Sequence, residues 1–348
     1  MIDLVKENAF IAQLVSAMPR NPNQINGLHE SDAELVRIRG GSDQILAVTT
    51  DSIVEEIEQG LYTEPYQIGW MTVMANLSDL AAVGARPLGI LLSETLPSDM
   101  PADQLASLQR GVREACRTAG TALLGGDTNF SRQLHMSATA VGLVEGKTPM
   151  TRKGCTPGDL LYCTGPLGGG NAFAAARILQ ASDAITYLPS ARIREGFLLK
   201  SCASACMDTS DGLFATLDQL GRLNNVGFAL DESWESALDL PALAMARKLG
   251  VEPWMFMAGP HGEYELVMTV KPVDEAALRT IELPDGRTLA RLGRVTGNPG
   301  IALGGWGAFS SEDLASIRNF PLSAGENLQE FLRFLSGTGA RCKTSTQA

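Results

Sequence analysis

The sequence predicts two domains, each mixing α-helices with β-strands, and three observations carry this. The chain has 348 residues, about the length of two ordinary domains. Residues 146–158, GKTPMTRKGCTPG, gather two prolines, three glycines and three bases, the loop chemistry expected between structured segments. On both sides of that stretch, short apolar runs alternate with longer segments of helical period. The expected division is 1–146, 147–335 and a solvated tail over 336–348.

In the first half, residues 3–18 pattern as an amphipathic helix, with Leu4, Phe10, Ile11, Leu14 and Val15 set against Lys6, Glu7 and Gln13. Residues 19–27, PRNPNQING, are turn formers. Strands are expected over 34–38 and 44–50, joined by the hairpin residues 39–43, RGGSD. The organising stretch is 68–87, IGWMTVMANLSDLAAVGARP. Asp79 is the only charged residue between Gln67 and Ala85, and a helix that is apolar nearly all round is a buried one. Gly84 can end it in a left-handed conformation, and Pro87 bars its resumption. Thr72, Asn76 and Asp79 are spaced four and three apart, so they share a face. A buried carboxylate needs a partner from elsewhere: an arginine, a cap or a cation. A strand over 87–95, a helix over 101–120, a short strand over 121–124 broken by GGDTN at 125–129, and a strand over 134–144 complete the half.

In the second half, strands are expected over 159–164, 228–230, 265–270 and 289–296. Helices are expected over 171–180, 190–206, 213–223, 241–249 and 325–336. The turn DTSDGL occupies 208–213.

Composition removes several classes of function. The net charge of −11, from 39 acids and 28 bases, disfavours nucleic acid and anionic membrane as partners. The six cysteines are scattered without a CxxC pair, and there are only three histidines, so a zinc cluster is not expected. Reduced thiols fit a cytoplasmic location. No signal peptide or bilayer-length apolar run is present. Neither GxSxG nor a strand-borne GxGxxG occurs, and Val141 stands where a P-loop ending at Lys147 would need its first glycine.

What remains is a set of acids. Asp51 ends an apolar strand, Asp127 follows two glycines, Asp208 and Asp211 share a turn, and Asp32 precedes a strand. Each alone reads as a turn or cap residue. Together with buried Asp79 they read as hard oxygen ligands converging on Mg²⁺, which binds substrate phosphates as well. Gly125 and Gly126 would let a ligand approach the backbone. The loop at 165–170 could cradle a phosphate at a helix start, although plain turn use is the preferred reading.

Five ordered motifs, across residues 5–320, resemble the thiamine-monophosphate kinases and their superfamily, which includes aminoimidazole ribotide synthetase. They are TDSIVE at 50–55, IGW with NLSDLAAVGARP at 68–70 and 76–87, GGDT at 125–128, Arg152 with Gly154, Pro157, Gly158 and Asp159, and DTSDGL at 208–213. The resemblance implies two α+β domains, with a β-barrel shared across a homodimer and a C-terminal α+β sandwich. It implies ATP as co-substrate, Mg²⁺, and a small phosphorylated acceptor converted to a diphosphate. It further implies Asp32, Asp51, Asp79, Asp127 and Asp208 as metal ligands. Asp79, Asp127 and Asp211 would be catalytic, and Gly125, Gly126, Thr128, Arg152 and Ser210 would bind nucleotide. Glu58, Glu263 and Trp306 would face the acceptor.

The chain departs from the pattern at several positions. Glu30-Ser31-Asp32 replaces a glycine and paired aspartates, and Glu58 replaces a histidine. Residues 260–266, PHGEYEL, replace GGEDYEL, and Ala308 replaces a histidine after Trp306. The metal and ATP motifs therefore survive, while the acceptor motifs are altered. Two alternatives stay open: another ATP-using member of the superfamily with a different acceptor, or a nucleotide-binding dimer without turnover.

Overall fold

The computed structural model describes residues 5–38, 44–146, 148–181, 185–321 and 328–345. The expected hairpin connection at 39–43 lies outside the described residues.

The first domain runs α1 (Lys6–Ser16), β1 (Glu34–Ile38), β2 (Gln44–Ser52), α2 (Val54–Glu58), α3 (Pro65–Ala82), β3 (Arg86–Pro97), α4 (Ala102–Thr118), β4 (Leu123–Ser131) and β5 (His135–Val144). Among the described residues its strands form one open sheet in the order β1-β2-β5-β3-β4, antiparallel except for β3 and β4. Among the described residues of one chain there is therefore no closed barrel.

The second domain runs β6 (Leu160–Cys163), α5 (Gly169–Ile178), α6 (Ile193–Leu199), β7 (Ala203–Asp208), α7 (Gly212–Asn224), β8 (Gly227–Leu230), α8 (Leu240–Leu249), α9 (Met255–Ala258), β9 (Leu266–Val270), α10 (Glu275–Leu278), β10 (Ala290–Thr296), β11 (Gly300–Leu303), β12 (Gly307–Phe309), α11 (Ser311–Arg318) and α12 (Leu328–Ser345). Its sheet has the order β12-β11-β8-β10-β6-β9-β7.

Helix α3 is the hub. All of its residues except Pro65, Tyr66 and Asp79 are buried, as the near-absence of charge requires. It meets α4 backbone to backbone. A Cβ on Gly69 would lie 2.1 Å from the Leu108 carbonyl oxygen, and one on Gly111 would lie 2.1 Å from that of Tyr66. Its other flank is tied to the second domain. Gln67 Nε2 donates to the Tyr187 carbonyl (2.9 Å) and Trp70 Nε1 to that of Pro189 (2.7 Å). Gly84 ends the helix with φ +67°, in the left-handed region that favours glycine.

Three expectations are corrected. Residues 203–208 are strand β7 rather than the end of a helix; ASACMD is a short apolar run whose period does not separate strand from helix. GGDT at 125–128 lies within β4 rather than breaking it. A Cβ on Gly126 would sit 2.0 Å from the Leu92 carbonyl oxygen, so the glycine serves close strand packing beside the register shift at Ile90 and Leu91. Finally, 336–345 is not a solvated tail. Helix α12 continues through it and buries Leu335, Thr338 and Cys342.

Candidate functional site

The polar face of α3 docks on the end of β2. Thr49 Oγ1 donates to Asp79 Oδ2 at 2.5 Å. Asn76 Oδ1 accepts from the Asp51 backbone N–H at 2.9 Å, while Asn76 Nδ2 donates to the Thr72 carbonyl at 2.9 Å. The shared face thus fixes where strand β2 delivers Thr49 and Asp51.

Two further carboxylates arrive from outside that pair. Asp32 precedes β1, and Asp208 ends β7. Among the described residues, Asp32, Asp79 and Asp208 form a group in which one oxygen of each lies within 4.8 Å of the others. Arg152, from the interdomain segment, pairs with Asp32 at 3.0 Å. Its backbone is held at both ends, by the Glu30 carbonyl (2.8 Å) and by Asn224 Nδ2 at the end of α7 (2.8 Å). Ser210 Oγ donates to Asp208 Oδ1 at 2.9 Å. The second oxygens of Asp32 and Asp208 are buried without a partner.

Like charges in a low-dielectric pocket resist ionisation together. Burial, then the Asp32 charge, pushes the Asp208 carboxyl up to about 7. Asp79 is raised well above the usual range, first by burial and then by Asp51, Asp208 and Asp32. Asp51 keeps exposed surface at the rim while protein crowds its other sides; it too is raised, by those surroundings and then by Asp211 and Asp32. One guanidinium does not balance so many acids. Converging carboxylates with orphaned oxygens are the donor set of a hard divalent cation, so the residues fit Mg²⁺.

Beside this cluster opens a cleft of about 350 Å³. Glu55, Glu56 and Asp211 line one part of it, and Phe320, Leu328 and Leu332 another. Glu56 Oε2 is buried without a partner. Sequence reasoning missed Thr49 and Glu56 and gave Glu55 no role beyond the TDSIVE motif, although the two acids lie within five residues of Asp51.

The structure does not assemble every expected residue. Asp127 lies on the exposed edge strand β4. Asp51 pairs with Ala138, Ala138 with Leu92, and Leu92 with Gly126. Three strand spacings separate them, roughly 14 Å, so within one chain Gly125, Gly126, Asp127 and Thr128 stand apart from Asp79. Thr128 Oγ1 instead donates to Glu94 (2.8 Å), and Asp127 accepts from Asn129 (2.7 Å).

The acceptor-facing set fares similarly. Glu58 is exposed at the end of α2, outside the cleft lining. Glu263 is buried and accepts the backbone N–H groups of Gly168 (2.6 Å) and Gly170 (3.4 Å) at the start of α5. The chain's own carboxylate therefore fills the anion position of the 165–170 loop, which is a turn and not a phosphate cradle. Burial nevertheless pushes Glu263 up to about 8. Trp306 stacks on Phe309 and meets Trp254 at a tilt in the second core, outside the cleft lining. Glu30 does not stand in for the missing aspartate. It pairs with Lys153 (2.9 Å) and caps the Gly27 N–H (2.6 Å), whereas Ser31 Oγ is buried and unpartnered.

Comparison with known proteins agrees with this architecture. Residues 30–144 match the family model described as AIR synthase related protein, N-terminal domain, and residues 156–305 match its C-terminal domain. The thiamine-monophosphate kinase of Halobacterium salinarum is 31% identical over 266 residues, which is 74% of this chain and 88% of that protein. A solved structure from Thermus thermophilus superposes with a TM-score of 0.72 at 30% identity, covering 88% of this chain and 98% of that one. The structure described as AaThiL complexed with AMPPCP and TMP shares the fold, with a TM-score of 0.69 at 21% identity over 87% of this chain and 94% of that one. The chain belongs to the thiamine-monophosphate kinase family, within the proteins related to AIR synthase.

Proposed function

We propose that this protein is a Mg²⁺- and ATP-dependent phosphotransferase that acts on a phosphate monoester, with thiamine monophosphate as the first acceptor to test. The observation that carries this is the trio Asp32, Asp79 and Asp208, crowded and with orphaned oxygens. These residues would hold Mg²⁺, with Asp51 at the rim. When bound, the ion supplies neutralisation of phosphate charge. In the transfer, an acceptor phosphate oxygen forms a bond to the γ-phosphorus, the bond to the β,γ-bridging oxygen breaks, and ADP and a diphosphate leave. The chain's own part is positioning. Thr49 orients Asp79, Asn76 holds the Asp51 backbone, Arg152 orients Asp32, and Ser210 orients Asp208.

We also propose a homodimer formed along β4. This edge strand exposes Leu123, Leu124 and Phe130, and β3 beside it exposes Leu88 and Leu91. Contiguous apolar surface on a sheet edge marks an interface. Pairing there supports the shared barrel and would give Asp127, Gly125 and Gly126 a place at an interfacial site. Among the described residues no helix is long and apolar enough to cross a membrane, and the biosynthetic kinase relatives support a cytoplasmic setting.

A different phosphorylated acceptor is the second reading, favoured because Glu58 and Ala308 stand where the family pattern has histidines. ADP formation assayed with Mg·ATP and a panel of phosphate monoesters tests both. Mg²⁺-dependent ADP with thiamine monophosphate supports the first, and ADP with another acceptor alone supports the second. Nucleotide binding without ADP from any acceptor refutes phosphotransfer.

A further inference from the structure

The family model for the second domain ends at residue 305, but the chain goes on to build part of the cleft. Beyond that residue come β12, α11 and α12. Helix α12 seats its C-terminal half on Trp306. A Cβ on Gly339 would lie 2.9 Å from the Trp254 ring and 3.1 Å from that of Trp306, so glycine there allows close approach. Lys343 Nζ sits 5.0 Å from the Trp306 ring centroid, a cation–π contact that covers the indole. The aromatic residue that the motif pattern assigns to the acceptor is thereby roofed by the protein itself.

The N-terminal half of α12 carries the same face on to the cleft. Leu328, Phe331 and Leu332 line the cleft, joined by Phe320. Phe320 packs on Phe331 with ring centroids 5.1 Å apart, which ties the segment after α11 to the helix. Across the cleft stand Asp211, beside the carboxylate cluster, and Glu56, whose Oε2 is buried and unpartnered. The cleft lining is thus acidic at Glu55, Glu56 and Asp211, the last three residues along the chain from Asp208, and apolar along α12.

We propose that α12 supplies the acceptor-binding wall, with Leu332, Phe331 and Phe320 taking over the contact that Trp306 has given up. This inference rests on the phosphotransferase reading. The acceptor it selects is a phosphate monoester whose body has a flat apolar face, laid against Leu332, and a hydrogen-donating or cationic group that reaches Glu56. Leu332 is the specificity-determining position to test, because it is half-buried while Phe331 belongs to the core.

The test is steady-state kinetics of the full-length protein with Mg·ATP and thiamine monophosphate. Leu332→Ala is expected to raise the KM for thiamine monophosphate about tenfold, the scale of losing most of one leucine's apolar contact. The KM for ATP should stay within about twofold, since the nucleotide's triphosphate would be held through Mg²⁺ on the carboxylate cluster. Leu332→Met, which keeps an apolar side chain of similar volume, should retain the wild-type KM. An unchanged acceptor KM in Leu332→Ala overturns the inference, as does an equal rise in both KM values, which would mark a merely structural role. A wild type that forms no ADP with thiamine monophosphate overturns the thiamine-phosphate reading and takes this inference with it, so the two failures are told apart by which protein shows them.

Discussion

Asp79→Asn is expected to lower Mg²⁺-dependent turnover by about a thousandfold or more, while leaving the metal-free protein at least as stable as the wild type. Both effects follow from one geometry. Asp79 is raised well above the usual carboxylate range by burial and by Asp51, Asp208 and Asp32. Its charge is therefore unfavourable in the folded, metal-free state and becomes favourable only when a cation is present. Asparagine keeps the shape and an oxygen to accept from Thr49 Oγ1, so the docking of α3 on β2 survives. It removes the negative charge that a divalent ion needs. ADP release and thermal melting of the same sample check this. A variant with near-wild-type turnover shows that Asp79 is no ligand, and a large drop in melting temperature shows that its role is structural.

Arg152→Met should have the opposite signature. The guanidinium pairs at 3.0 Å with Asp32, whose side chain is 1% exposed. Removing one partner of a buried ion pair leaves the other uncompensated and costs about 3–5 kcal/mol. Here the abandoned charge also sits among Asp79 and Asp208. The loss should be smaller at pH 5 than at pH 8, because Asp208, pushed up to about 7, is neutral at the lower pH and repels Asp32 less. Mg²⁺ should restore part of the lost stability, since a bound cation supplies the missing counter-charge. Urea midpoints with and without Mg²⁺ at the two pH values measure this. Equal losses in all four conditions would mean that Arg152 acts by packing alone.

Much of this was legible in the residues. The lone charge of α3 showed a buried helix, and the spacing of Thr72, Asn76 and Asp79 showed the face that meets β2. Strand-like runs joined by turn residues located β1 and β2, and the DTSDGL turn put Asp208 just before α7. What failed depended on tertiary placement. Gly125 and Gly126 punctuate a sequence, yet here both lie within β4, and Gly126 lets it pack tightly on β3. The distance from Asp127 to Asp51 follows from strand order, which no local pattern encodes. Glu263 caps α5 because the fold carries β9 beside the 165–170 loop. The glycines at 337 and 339 weaken helix propensity, and only the packing of Gly339 against Trp254 and Trp306 explains why α12 runs through them.

The most direct measurement is calorimetric titration of AMPPCP into the wild-type protein at pH 7, with Mg²⁺ and with EDTA, in buffers of different ionisation enthalpy. In the folded, metal-free protein the raised carboxyl of Asp208 retains protons between its unfolded value of about 4 and about 7. That protonation favours the metal-free fold at low pH, and the advantage is lost as pH rises through about 7. A cation that takes the site must displace those protons. The account predicts binding only with Mg²⁺, accompanied by proton release into the buffer. Equal affinity in EDTA, or Mg²⁺-dependent binding without proton release, would contradict it.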